Sequence, residues 1–286
     1  MRAVRERAAT PAGYPCCTDI RTSAAASTVC GLEGQSSEKV AVGVFATESD
    51  PGQGSAARSA AGVASRAERD GDPAAALHRL RVVAVTDRRR MVAPELLATE
   101  DWPAIARAFA AAIERAVAGC PPGSVAVQVR EKDLDGGPLL QLVRAAQPFA
   151  PVIVNDRLDV ALAADAAGVH LPERGLSIAD ARALAPALRI GVSRHAAPGD
   201  TGADLIQLGP IWSTPSKPDV RPLGELALAW PRGQARLVAV GGIDSPERAE
   251  RAAAAGADAV AVIRAAWTGA PLSSLVSAVD AGLACR

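Results

Sequence analysis

Between residues 81 and 263, eight short runs of mostly β-branched and small apolar residues recur, and Ala/Leu-rich stretches with helical spacing separate most of them. Strands that alternate with amphipathic helices build a parallel sheet, because a parallel neighbour is reached only through a long crossover. The runs are 81–86 (RVVAVT), 124–130 (SVAVQVR), 151–155 (PVIVN), 168–171 (GVHL), 189–192 (RIGV), 204–208 (DLIQL), 236–240 (RLVAV) and 259–263 (AVAVI). Eight units predict an α/β fold of the (β/α)₈ TIM-barrel type with right-handed crossovers. The competing doubly wound sheet normally has fewer strands and often a Gly-rich turn after the first, where this chain reads Thr86-Asp87-Arg88-Arg89-Arg90. Helices are expected over 102–117, 138–147, 158–164, 177–184, 246–255 and 272–282, with Asp180 and Glu247 near starts where the helix dipole favours acids. Only 194–203, interrupted by Pro198 and Gly199, separates the fifth and sixth runs, so the fifth helix is expected to be missing or a single turn.

The barrel is assigned to residues 77–286. Residues 1–76 are rich in Ala, Ser, Gly and Arg, and only 39–47 (KVAVGVFAT) resembles a strand. A segment that buries so little apolar surface does not offset its ordering entropy, so disorder or an upstream start-site artefact is expected there. A transit peptide fits less well, given Glu6, Glu33, Glu38, Glu48 and Asp50. Five scattered cysteines lack zinc spacing and are read as reduced thiols. With 31 basic and 31 acidic residues the net field favours neither nucleic acid nor an anionic membrane, and 3% aromatic residues leave little for base stacking. A soluble cytoplasmic protein acting on small phosphorylated molecules is the expectation, with a homo-oligomer left open.

Polar residues at the carboxyl ends of barrel strands converge on one mouth, where such barrels place their chemistry. Five clusters stand there. The second run ends Gln128-Val-Arg130-Glu-Lys132, whose alternation sends Gln128, Arg130 and Lys132 toward one side, as an anionic ligand would need; a solvated charge run is the plainer reading. The third ends Asn155-Asp156-Arg157, where Asp156 could hold Mg²⁺ or the pair could cap a helix. His170 ends the fourth and is read as structural, whereas Ser193 and His195 follow the fifth, where an exposed imidazole suits proton transfer. After the sixth, residues 209–217 (GPIWSTPSK) carry Ser213, Thr214, Ser216 and Lys217, suited to a pyrophosphate, or form a plain turn. Gly241-Gly242 follows the seventh run, and Ile263-Arg264 closes the eighth, the usual place for a monophosphate held by backbone amides.

These motifs resemble the thiamine phosphate synthase and TenI (thiazole tautomerase) superfamily. The resemblance spans about residues 81–271 and rests on VQVREKD at 127–133, VNDR at 154–157, GVHL at 168–171, GVSRH at 191–195, LGPI with TPSK over 208–217, AVGGI at 239–243 and AGAD at 255–258. It implies a transferase that joins hydroxymethylpyrimidine diphosphate to a thiazole phosphate and releases pyrophosphate. By matching positions it implies that Gln128, Arg130, Lys132 and Asn155 contact the pyrimidine diphosphate and that Asp156 binds Mg²⁺. Ser193, Thr214, Ser216 and Lys217 would hold diphosphate or neighbouring groups, and Gly242, Ile263 and Arg264 the thiazole phosphate. Synthases usually place a second metal carboxylate where Gly175 stands here, with Glu173 the nearest substitute. Arg264 also stands where synthases often have Ser.

Leu171-Pro172 resembles instead the tautomerase branch, in which a histidine matching His195 is the general acid and base. Synthase is the leading expectation, because a tautomerase has no diphosphate to hold. A tautomerase, and a sensor that binds thiamine intermediates without turnover, are the alternatives.

Overall fold

The computed structural model describes residues 78–199, 201–215, 218–268 and 272–286. The expectations for residues 1–76 lie outside these, and every described residue falls within the unit Ala61–Arg286. Eight parallel strands close into a barrel in sequence order: β1 Val82–Val85, β2 Val125–Val129, β3 Val152–Asn155, β4 Gly168–Leu171, β5 Arg189–Arg194, β6 Leu205–Leu208, β7 Arg236–Val240 and β8 Ala259–Val262. Register pairs Val82 with both Val125 and Val260, which shuts the sheet on itself.

Both faces of the strands are buried. Val83, Val85, Ala126, Ile153, Leu205, Val238, Ala259 and Ala261 fill the barrel interior, while Val82, Val127, Val154, Ile190, Ile206 and Leu237 face the surrounding helices. That double burial explains runs of near-continuous aliphatic residues. The outer helices dock by matching stripes. Ile105, Phe109 and Ile113, spaced four apart on the helix Trp102–Val117, are fully buried, each contributing about 1.5–3 kcal/mol of burial. Asp101 caps that helix by accepting from the Ala104 N–H at 3.1 Å, and Ser177 does the same for the helix Ile178–Leu184 through the Asp180 N–H. Among the described residues no helix is long and apolar enough to cross a membrane.

The six expected helices are present, and no described residue between β5 and β6 is helical. Three details differ from expectation. β5 runs on to Arg194, so Ser193 lies within the strand, in register with Gln207. Among the described residues of the β6–β7 crossover the helical segment is one 3₁₀ turn, Glu225–Ala229. Short helices Arg88–Met91 and Pro94–Leu97 follow β1, and Arg264–Thr268 follows β8. With four or five residues each, they are too brief for apolar periodicity to register.

Candidate active site

At the carboxyl ends of the strands lies a cavity of about 860 Å³, ample for a small organic ligand. Its floor is polar but uncharged. On β6, Gln207 donates from Nε2 to Oε1 of Gln128 on β2 at 2.6 Å, and Gln128 donates in turn to Oδ1 of Asn155 on β3 at 3.2 Å. Beside this amide chain, His170 Nε2 meets Ser193 Oγ at 2.8 Å. Burial, with Arg130 repelling a second positive charge, pushes the His170 pKa down to about 3. His170 is therefore a neutral partner that fixes the Ser193 hydroxyl, in keeping with its structural reading. Gln207 belongs to the site although sequence reasoning passed over it. Its signal is a lone amide at an inward position of an apolar strand, the same signal that marks Gln128.

One wall of the cavity is ionic. Arg130 and Lys132 line it and are exposed, as their alternation predicts. Between them in sequence, Glu131 is only 6% exposed and turns toward the β1 exit. Its Oε1 accepts from the Thr86 hydroxyl at 2.7 Å and the Arg88 N–H at 3.0 Å, and its Oε2 accepts from the Arg88 guanidinium at 3.0 Å. Arg88 also grips both oxygens of Asp133 at 2.7 Å, and Arg89 reaches the same carboxylate at 2.8 Å. Asp133, mainly through its bond with Arg88, is held at a pKa of about 2. Glu131 moves the other way, because burial outweighs its donors and raises its pKa. Sequence reading used Arg88-Arg89-Arg90 only to argue against a dinucleotide fold. The signal it missed is a run of three arginines on one strand exit facing Glu131 and Asp133, the two acids of an alternating charge run on the next.

The opposite wall is made of backbone. Ile211 donates to Val240 O at 2.9 Å and Trp212 to Gly241 O at 3.1 Å, so the loops after β6 and β7 run together. Gly241 and Gly242 have φ of +94° and +73°, which side-chain-bearing residues rarely adopt. A Cβ on Gly242 would lie 2.6 Å from Trp212 Cβ and 2.9 Å from Ser213 O, so glycine is required by packing as well as by conformation. Arg248 reaches back to donate to Gly242 O at 2.5 Å while its guanidinium sits 5.7 Å from the Trp212 ring centroid. Thr214, Ser213, Ile263 and Arg264 line the same side, Arg264 opening the helix Arg264–Thr268.

The cavity thus gathers Gln128, Arg130, Lys132, Asn155, Ser193, His195, Thr214, Gly242, Ile263 and Arg264. Ser216 and Lys217 lie outside the described residues. Asp156 and Glu173 are not in the lining. Asp156 is exposed with a left-handed φ of +68°, its N–H bonded to His170 O at 2.8 Å. Glu173, expected as a stand-in metal ligand, instead meets His195 Nδ1 at 2.7 Å, and that bond lowers the Glu173 pKa. Among the described residues no group of three or more His, Cys, Asp or Glu side chains could hold a metal ion. Among the described residues the donor set therefore offers Mg²⁺ only scattered carboxylates: Asp156, exposed but outside the lining, and Asp87, Asp133 and Asp244 within it. This suits an ion held largely by substrate phosphates and water, not one held in a protein cage.

A closed parallel barrel whose mouth joins an ionic wall to a Gly-Gly turn after β7 has the layout of the barrel enzymes, which frequently place a phosphate site after the seventh and eighth strands. Residues 96–266 match the thiamine monophosphate synthase family, and the chain belongs to that family. It is 37% identical over 196 residues to the thiamine-phosphate synthase of Chloroflexus aurantiacus, covering 63% of this chain and 83% of that protein. It is likewise 37% identical over 178 residues to that of Moorella thermoacetica, covering 57% and 80%. Among solved structures, a thiamine phosphate pyrophosphorylase from Pyrococcus furiosus superposes with a TM-score of 0.51 at 26% identity, covering 72% of this chain and 96% of that one.

Proposed function

We propose that the barrel is a transferase of thiamine biosynthesis that joins hydroxymethylpyrimidine diphosphate to thiazole phosphate, with Mg²⁺, in the cytoplasm. The observation that carries the reading is one cavity with two unlike walls over an uncharged floor: Arg130 and Lys132 on one side, Gly242 and Arg264 on the other. Two cations suit a diphosphate, and a glycine turn suits a monophosphate. In the reaction, the bond between the pyrimidine methylene and the diphosphate oxygen breaks and its electron pair leaves with the diphosphate. The thiazole nitrogen lone pair then forms the new C–N bond.

Arg130 and Lys132, with Ser216 and Lys217 from the sequence motif, stabilise the charge that grows on the departing diphosphate. Gln128 and Asn155 present amides to the pyrimidine, and Ser193, held by His170, and Thr214 add hydroxyls. Gly242, Ile263 and Arg264 seat the thiazole phosphate, so that the two reacting atoms meet in one orientation. Asp156 would hold Mg²⁺, which when bound neutralises diphosphate charge and aids its departure.

The Glu173–His195 bond favours a second reading, thiazole tautomerisation. A carboxylate on Nδ1 orients the imidazole and supports it as an acid or base at the cavity wall. The test supplies the purified chain with both substrates and Mg²⁺ and, in parallel, with the thiazole tautomer alone. Thiamine phosphate formation that Lys217→Ala or Asp156→Ala abolishes is the expected result. Conversion of the tautomer alone, stopped by His195→Asn, would reverse the order of the two readings. Binding of both substrates without turnover would make the chain a sensor.

A further inference from the structure

Among the described residues Glu131 is the one buried carboxylate of the cavity wall, and the reaction has no use for it. It is 6% exposed, yet its neighbours in sequence, Arg130 and Lys132, both face the cavity. We propose that Glu131, with Thr86 and Arg88, is a positioning residue that fixes Arg130 and Lys132 against the leaving diphosphate. The inference rests on the transferase reading above.

The geometry forms a continuous brace between two strand exits. Thr86 Oγ1 accepts the Arg130 N–H at 3.0 Å and donates to Glu131 Oε1 at 2.7 Å. The same Oε1 receives the Arg88 N–H, and Oε2 receives the Arg88 guanidinium. Arg88 is anchored from the far side by both oxygens of Asp133. The segment is thereby held on both sides of Glu131, at the Arg130 backbone amide and through the Asp133 side chain. Long, exposed cations lose much freedom when they grip a ligand, and a fixed backbone lowers that cost. The brace also disposes of local charge. Arg88 and Arg89 are committed to Glu131 and Asp133, which leaves Arg130 and Lys132 to meet the ligand.

Removing one partner of a buried ion pair also destabilises a fold, so a lowered melting temperature does not decide the role of Glu131 and the binding readouts do. Glu131→Gln keeps the shape but sets an amide N–H₂ or a neutral oxygen against Arg88. The expected result is a KM for pyrimidine diphosphate raised about tenfold and a kcat lowered a few-fold, with the thiazole phosphate KM within about twofold of the starting value. Thr86→Val should shift the same KM in the same direction, and Glu131→Asp should recover part of it. Inorganic pyrophosphate with Mg²⁺, titrated calorimetrically, should bind correspondingly more weakly to Glu131→Gln.

A purely structural role would lower the melting temperature while leaving pyrophosphate affinity and the ratio of the two KM values unchanged, and that outcome overturns the proposal. Amide hydrogen exchange at Arg130 provides a readout independent of substrate. Faster exchange in Glu131→Gln and Thr86→Val is expected, and unchanged protection in both variants would remove the brace. Failure of the original chain to bind pyrophosphate or to react overturns the transferase reading instead. The exchange arm then still decides whether the brace exists.

Discussion

The two walls of the cavity are built by opposite means. On the β1–β2 side, side chains do the work: Arg130 and Lys132 project from a segment pinned by Glu131, Arg88 and Asp133. On the β6–β7 side the backbone does it, with two left-handed glycines, Gly241 packed against Pro210 and Gly242 against Trp212 and Ser213. A side-chain wall concentrates charge but must be braced. A backbone wall is rigid from the outset but tolerates no added atom. The first should therefore fail in binding and keep its fold, and the second should lose both together.

The largest expected effect comes from adding a single carbon to the backbone wall. Gly242→Ala places its Cβ 2.6 Å from Trp212 Cβ and keeps a φ of +73° that alanine disfavours. Strain and overpacking together should cost about 3 kcal/mol, or roughly 6–12 °C in melting temperature for a domain of this size. The thiazole phosphate KM should rise at least about tenfold with it. A variant of native melting temperature would mean that the two loops are not packed as described.

On the ionic wall, Lys132→Ala removes an exposed cation and leaves the brace intact. Loss of a charge-assisted contact of about 1.5–3 kcal/mol should lower kcat/KM for pyrimidine diphosphate roughly 10–100-fold. The melting temperature should stay within about 1 °C, since exposed charges add little stability. If thiazole phosphate binding suffers equally in steady-state kinetics, the walls are not separate subsites.

This division also decides what can be read in the sequence. The eight strands are legible because an apolar run buried on both faces leaves few alternatives, and their ends fall within two residues of expectation. Gln128 and the Gly-Gly turn are legible because strand period and strand end place them at the mouth. Pairings between loops are not. Arg88 and Glu131 are 43 residues apart, and Glu173 and His195 are 22 apart. Local periodicity states which way a side chain points, but says nothing of which charge on a neighbouring exit it meets. Glu173 is the instructive case: the family resemblance offers it as a stand-in metal ligand, and its bond to an imidazole 22 residues away is visible only in the fold.

The smallest effect should sharpen the contrast from within the backbone wall. Arg248 supports that wall without lining the cavity: it donates to Gly242 O and lies 5.7 Å from the Trp212 ring centroid. Arg248→Met keeps the apolar stem over the indole but removes the donor and the cation, which together are worth about 1 kcal/mol. Arg251, 5.8 Å from the same ring and ion-paired with Glu225, remains to cover it, which limits the loss. A fall in melting temperature of roughly 2–4 °C is expected, with a thiazole phosphate KM raised only about threefold and pyrimidine diphosphate kinetics unchanged. Because the wall is fixed by glycine conformation and loop-to-loop hydrogen bonds, removing a prop behind it should barely loosen it. An effect as large as that of Gly242→Ala would show that the backbone wall, too, depends on a side-chain brace, and the distinction between the walls would fall.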